Sequence, residues 1–419
     1  MNPSHNMISN NPKCGKLSVI FLSAESEFKG GAERSLSILV EELGEYQDLD
    51  LFIFTPGQGE VSAFMDRLGV DRVEMSGVDL NKIRRSNSVR ENLKNMWPFL
   101  QTAFGLAKKI RALNIQIIHS NSLKTHLLSS LIRLFNWKVK VIWHIRDILE
   151  NKFHRMVLSL FSMFADRIIL VSKACEANFL WSQGKQSVIR NPVNTKVATD
   201  ENSAQYDPHR KDLRIGIFGR ISPYKGQSEA VDVLYILRQK GIDARLYIYG
   251  TCWENQTYEN ELKRKIHRME LGGSVIFQGH VSNVSTAYRY VDVVLVPSPK
   301  PDPLPRVVYE GFFHRKPVFA YDVGGIREIY QVNADRYLSS VDARKTANQI
   351  YSYVNNASAY EEDIERHFEY VITCLTPENH GRQVIEVYCR ALKWPDCFFP
   401  IRSSNSKSKA RIKSEGSIC

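Results

Sequence analysis

Arg220 and Lys225 stand five positions apart in the run Gly219-Arg220-Ile221-Ser222-Pro223-Tyr224-Lys225-Gly226, directly after the apolar stretch LRIGIF. A planar guanidinium and a compact ammonium on one loop suit the oxygens of a diphosphate, the first as a fork of donors and the second as a point charge. As a bare pattern the loop equally suits an ordinary solvated turn. A second group follows: Asp302 and Glu310 lie eight positions apart across a proline-rich turn and a helix start near Pro305 to Val308. A helix beginning there points backbone N–H groups, those of Val307 and Val308 among them, and a partial positive charge at any nearby anion. Glu310, one turn further in, is placed to accept hydrogen bonds from two ribose hydroxyls. Near the amino terminus Gly30-Gly31 would let backbone come close to a ligand where a Cβ would obstruct it. An ordinary strand-to-helix turn is the other reading of that pair.

The elements that must carry these residues alternate. LSVIFLS, LDLFIFTPG, IQIIHSN and KVKVIWHIRD read as buried strands and RIILVSKA as a strand and helix start, separated by helix-like segments such as AERSLSILVEEL and LKTHLLSSLIRLF with apolar residues at helical spacing. Residues 195–212 are polar and without period, as a linker is, and a second alternation follows from LRIGIFGR to KPVFAYD. Strands alternating with helices predict two α/β domains, each a doubly wound parallel sheet. The segment 377–395 reads as one more helix, and the Ser/Lys/Arg-rich stretch 402–419 as a disordered basic tail.

Composition narrows the class. At 419 residues and 43% hydrophobic, the chain can build more than one core. Its longest apolar stretches, such as Met156 to Ala165, fall short of the roughly 20 residues a spanning helix needs. The amino terminus is polar and lacks a signal-peptide core, and the seven cysteines form neither a Cys-x-x-Cys pair nor a zinc spacing, so a reduced cytoplasmic location is expected. Asp48-Leu49-Asp50 reads as a solvated strand entrance, so no metal site is expected. The formal net charge of +11 is uneven: residues 81–160 hold 15 Lys/Arg against three Asp/Glu. Such a block draws polyanions, whether an anionic membrane surface, a lipid-phosphate acceptor or nucleic acid, or is merely a solvated face. No nucleic-acid-binding signature accompanies it. Neither sheet carries Gly-x-Gly-x-x-Gly between its first strand and helix, which argues against a dinucleotide-dependent dehydrogenase.

Four features recur in a familiar order: GGAER at 30–34, GRISPYKG at 219–226, the acidic pair Asp302 and Glu310, and KPVFAYDVGGIREI at 316–329. In that order the chain resembles the retaining GT-B glycosyltransferases of glycosyltransferase family 4, over most of its length. The resemblance implies two Rossmann-like domains facing a cleft, an acceptor-side domain at 1–195 and a donor-binding domain at 212–376, with the helix 377–395 returning to the first. It implies that Arg220 and Lys225 hold the donor diphosphate and take up the charge that grows on it as the sugar departs. Glu310 would meet the ribose, Asp302 the donor sugar, and His144 would face that sugar from the first domain. Gly30, Gly31, Gly219, Val307, Val308, Gly324, Gly325 and Glu328 would line the donor site. Most relatives carry Glu where this chain has Asp302, one methylene shorter. The implied reaction moves a sugar from a nucleotide-sugar, a UDP-sugar by the family's commonest choice, to a saccharide or lipid-linked acceptor, with no cofactor, no metal and no dedicated protein base. A cytoplasmic enzyme peripheral to the inner membrane face, working in surface polysaccharide or glycolipid synthesis, is the expectation. The alternative is a non-catalytic GT-B-like binding protein at an anionic membrane surface.

Overall fold

The structure is a computed structural model that describes residues 16–28, 30–75, 89–181, 184–194, 212–252 and 256–394, with 89–96 described by backbone alone. The linker read at 195–212 and the tail at 402–419 lie outside these residues, apart from Asp212. The chain divides into two compact units. Of the described residues, one holds those up to His144, Phe161–Ile168 and 381–394; the other holds those of Ile145–Leu160 and Ile169–His380.

Two sheets organise it. The first comprises β1 (Leu17–Leu22), β2 (Leu49–Phe54), β3 (Asp71–Arg72), β4 (Ile117–Ser120), β5 (Lys140–Ile145), β6 (Arg167–Leu170) and β7 (Gln186–Val188) in the order β3-β2-β1-β4-β5-β6-β7. The second comprises β8 (Leu213–Phe218), β9 (Ala244–Tyr249), β10 (Val275–Gly279), β11 (Val293–Val296), β12 (Val318–Tyr321) and β13 (Leu338–Ser339) in the order β10-β9-β8-β11-β12-β13. Strands β1, β2 and β4 pair in parallel, as do β8, β9, β11 and β12. Parallel strands covered by helices on both faces must be apolar along their whole length. All four residues of β11 and of β12 are buried accordingly. This is the doubly wound α/β architecture that the alternation predicts. Where RIILVSKA suggests a helix start, the chain makes only the 3-10 turn Lys173–Asn178. Among the described residues no helix is long and apolar enough to cross a membrane.

Candidate active site

In the second sheet the chain builds outward from β8 in one direction and from β11 in the other, so the flanking crossovers diverge between these two neighbours. A crevice opens at the carboxyl ends of strands at such a point, and ligands bind there. Val293 and Val294 of β11 pair with Ile215 and Gly216 of β8. That register brings the loop after β8, with Gly219, Arg220 and the 3-10 turn Pro223–Lys225, beside the loop after β11 that holds Asp302.

The two sequence-predicted groups meet in one ion pair, Lys225 Nζ to Asp302 Oδ2 at 2.9 Å. The Lys225 stem crosses Gly219, its Cδ 3.8 Å from where a Cβ there would stand. The turn that aims it ends at Gly226, which is left-handed (φ +75°) and so close to the Pro297 carbonyl oxygen that a Cβ would lie 1.8 Å from it. Only glycine fits both the torsion and the contact. Asp302 is engaged twice, because its Oδ1 also accepts from Leu304 N–H at 3.2 Å. This bond, two residues along its own chain, is one that short acidic side chains make readily.

Gly324 and Gly325 stand against the same segment. A Cβ on Gly324 would lie 2.1 Å from the Asp302 carbonyl oxygen, and one on Gly325 2.0 Å from that of Pro303. Gly325 N–H donates to Asp302 O at 3.0 Å. The glycine pair therefore fixes the backbone of the Asp302 loop. Glu328, read as lining the site, spends its carboxylate on the N–H groups of Lys173 and Ala174, both at 2.9 Å. Backbone donors at the start of the 3-10 turn capture it.

The helix expected near Pro305 spans Arg306–Phe313 with Pro305 as its cap. Val308 is buried and its N–H donates to Pro305 O at 3.1 Å, inside the first turn, which leaves Val307 N–H among the first-turn donors for a ligand. Glu310 is held by two neighbours: Oε1 accepts from Arg306 Nε at 3.1 Å and Oε2 from the Tyr288 hydroxyl at 3.1 Å. Burial, and then Glu310 itself, push the Tyr288 phenol well above its ordinary value, so it stays a donor. Asn283 caps the helix that bears Tyr288 by accepting from Thr286 N–H. Tyr249, Phe218, Tyr288 and His314 stack in sequence behind the site, at 4.7, 4.1 and 5.0 Å between ring centroids.

Arg220 is exposed, and among the described residues its guanidinium has no ion-pair partner; its carbonyl is held by Gln227 Nε2 at 3.0 Å. Three residues near this site were missed, Asp147, Arg146 and Arg306. Asp147 follows β5 closely, and burial followed by the proximity of Asp302 raises its carboxyl above the usual range, against the pull of Arg146. Arg146 is buried and donates to Asn191 Oδ1. Charged residues at the carboxyl end of a buried parallel strand were the signal available in His144-Ile145-Arg146-Asp147. Arg306 was readable too, four positions before Glu310 on one helix face.

In the first sheet the equivalent divergence lies between β1 and β4, and the loop after β1 leads to Gly30 and Gly31. Gly30 is extended, and a Cβ there would make only an ordinary contact with Glu33 at 3.4 Å. Among the described residues nothing else would meet a side chain there. Gly31 opens the helix Gly31–Leu43 and is exposed. His144 is fully buried on β5, its Nδ1 3.1 Å from His119 Nε2, while His119 Nδ1 lies 2.6 Å from the Tyr388 hydroxyl. His144 is thus one member of a Tyr–His–His chain. Burial holds Tyr388 well above its ordinary pKa, so its hydroxyl keeps its proton.

Residues 29–197 match the family model described as Glycosyltransferase Family 4, and residues 198–367 match that described as Glycosyl transferases group 1. No curated protein matches the sequence. Among solved structures, HepE of Anabaena, determined with UDP and glucose, is similar at 20% identity and a TM-score of 0.71, over 89% of this chain and 99% of that one. A glycosyltransferase from Rickettsia africae is similar at 20% identity and a TM-score of 0.73, over 90% and 99%. A sucrose-phosphate synthase from Thermosynechococcus elongatus is similar at 16% identity and a TM-score of 0.72, over 90% and 100%.

Proposed function

We propose, from the premise that this chain belongs to the GT-B glycosyltransferases of family 4, group 1, that it transfers a hexosyl group from a UDP-sugar, with retention, to a saccharide or lipid-linked acceptor. The observation that carries this is the Lys225–Asp302 ion pair, which joins the loop of Arg220 and Lys225 after β8 to the loop after β11 that leads into the helix Arg306–Phe313. Two cationic side chains and a helix end suit a diphosphate. In this reading the diphosphate draws Lys225 from Asp302, and the freed carboxylate accepts from a donor-sugar hydroxyl. Glu310, already oriented by Arg306 and Tyr288, accepts from the ribose. Gly30, Gly31 and His144 serve the sugar and acceptor side, with residues 1–195 as the acceptor domain and 212–376 as the donor domain.

The acceptor oxygen bonds to the anomeric carbon on the face the diphosphate leaves. The bond from that carbon to the phosphate oxygen breaks with its electron pair on the diphosphate, which takes the acceptor's proton. Arg220 and Lys225 lower the barrier by holding the charge that develops there. The cations take the part a metal plays elsewhere, and the reading includes no metal or cofactor. HepE, solved with UDP and glucose, supports the choice of UDP. The basic block at 81–160 supports an acceptor borne on an anionic membrane, in surface polysaccharide or glycolipid synthesis at the inner membrane face. The test is a panel of nucleotide-sugars scored for thermal stabilisation and then for release of nucleoside diphosphate in the presence of EDTA. Stabilisation by UDP-sugars with chelator-resistant release is expected; a protein indifferent to every nucleotide diphosphate would end this reading.

A further inference from the structure

The helix Lys152–Phe161 buries Leu158 and Ser159 on one side and turns a second apolar stripe outward. Phe153, Met156 and Leu160 are each between 47% and 57% exposed. At 3.6 residues per turn these three positions share an arc of about 60°. Leu180 and Trp181, each about half exposed, lie beside this helix, because Leu180 N–H donates to Ser159 Oγ at 2.9 Å. Single exposed apolar residues need no explanation, but a contiguous group of this size marks an interaction surface. Its charge is one-sided. From Asn151 to Ala165 there is no Asp or Glu, whereas Lys152 and Arg155 stand on the helix itself. Glu150, the acid just before it, is paired with Lys300 at 3.2 Å, and Glu176 on the adjoining turn is balanced by Lys173.

We propose that this face docks on an anionic lipid bilayer, with the helix Lys152–Phe161 lying in the interfacial plane. Phe153, Met156, Leu160 and Trp181 enter the acyl boundary, and Lys152 and Arg155 meet headgroup phosphates. Helices with aromatic and aliphatic residues on one face and Lys/Arg beside them bind interfaces in this way. Charge complementarity selects the occupant, since a second copy of the chain would bring two positive faces together, whereas an anionic leaflet attracts them. For its purpose the surface rests on the membrane-borne acceptor proposed above; its test does not.

Flotation of the full chain with phosphatidylcholine vesicles, and with vesicles containing phosphatidylglycerol, is the experiment. Salt-sensitive binding to the anionic vesicles is expected. The triple variant Phe153→Ser, Met156→Ser, Leu160→Ser should weaken it by at least about 30-fold, and Lys152→Glu with Arg155→Glu by roughly fivefold per charge. Both variants should keep the circular dichroism spectrum and nucleoside-diphosphate release of the unaltered chain, because every substituted side chain lies outside the donor site. A triple variant that floats like the parent, or a parent that ignores anionic vesicles, overturns the proposal. So does light scattering showing a parent dimer that the triple variant makes monomeric, since that assigns the face to a second copy. Proteins that float as expected yet release no nucleoside diphosphate with any donor would uphold the docking surface and defeat the transferase reading.

Discussion

In the proposed reaction Lys225 has two partners to choose between, Asp302 and the donor diphosphate. Without a donor its ammonium rests on Asp302, a half-buried pair whose side chains keep 32% and 19% of their exposure. Pairs so close to solvent contribute about 1 kcal/mol or less to stability. The same ammonium facing a departing diphosphate acts on charge that exists only in the transition state, where losing one such group costs about 10²- to 10³-fold in rate. Lys225→Ala should therefore lower nucleoside-diphosphate release by about that factor while shifting the urea midpoint little. A large loss of stability with activity retained would make the pair structural. Gly30 differs: a Cβ there would make only an ordinary contact with Glu33.

Secondary-structure elements reach the site through their ends rather than their faces. The turn Pro223–Lys225 is clamped between β8 and the β11 loop by Gly226 against Pro297, and the β12 loop is clamped onto Asp302 by Gly324 and Gly325. The stack of Tyr249, Phe218, Tyr288 and His314 ties β8 and β9 to the helices that present the Tyr288 hydroxyl and Glu310. Gly226→Ala puts a methyl into a left-handed residue and into a carbonyl oxygen at once, which costs roughly 1–3 kcal/mol for the torsion alone. Its denaturation midpoint should drop accordingly, and diphosphate release should fall along with it because the turn that aims Lys225 has moved. Wild-type stability in this variant would show that the Pro297 contact relaxes freely.

At the scale of the molecule, burial of histidines sets the response to acid. Burial lowers His314 and His367 to about 4 and His380 to about 3. A folded-state pKa below the unfolded value, near 6.5 for histidine, means that the unfolded chain binds more protons between the two. Stability is thus complete above about pH 6.5 and is lost as the pH falls toward 4. Asp147 and Glu229, raised by burial, act in the opposite sense and oppose this decline at its acid end. The urea midpoint, followed between pH 7.5 and 4.5, should decline through this window; a flat profile would mean that the histidines stay hydrated or paired when charged.

The alternation of buried strands and amphipathic helices, and with it two doubly wound sheets, was readable from the sequence because it depends on which residues are apolar and at what period. Arg220, Lys225, Asp302 and Glu310 were readable as types at the ends of such strands. Which of them touch was decided by the order β9-β8-β11-β12, since pairing β8 with β11 joins residues 77 positions apart into one ion pair. Tertiary packing also gave Glu328 to backbone donors, Gly324 and Gly325 to the Asp302 loop, and His144 to His119. Each of these turns on a distance between segments remote in sequence, and local spacing carries no information about such distances.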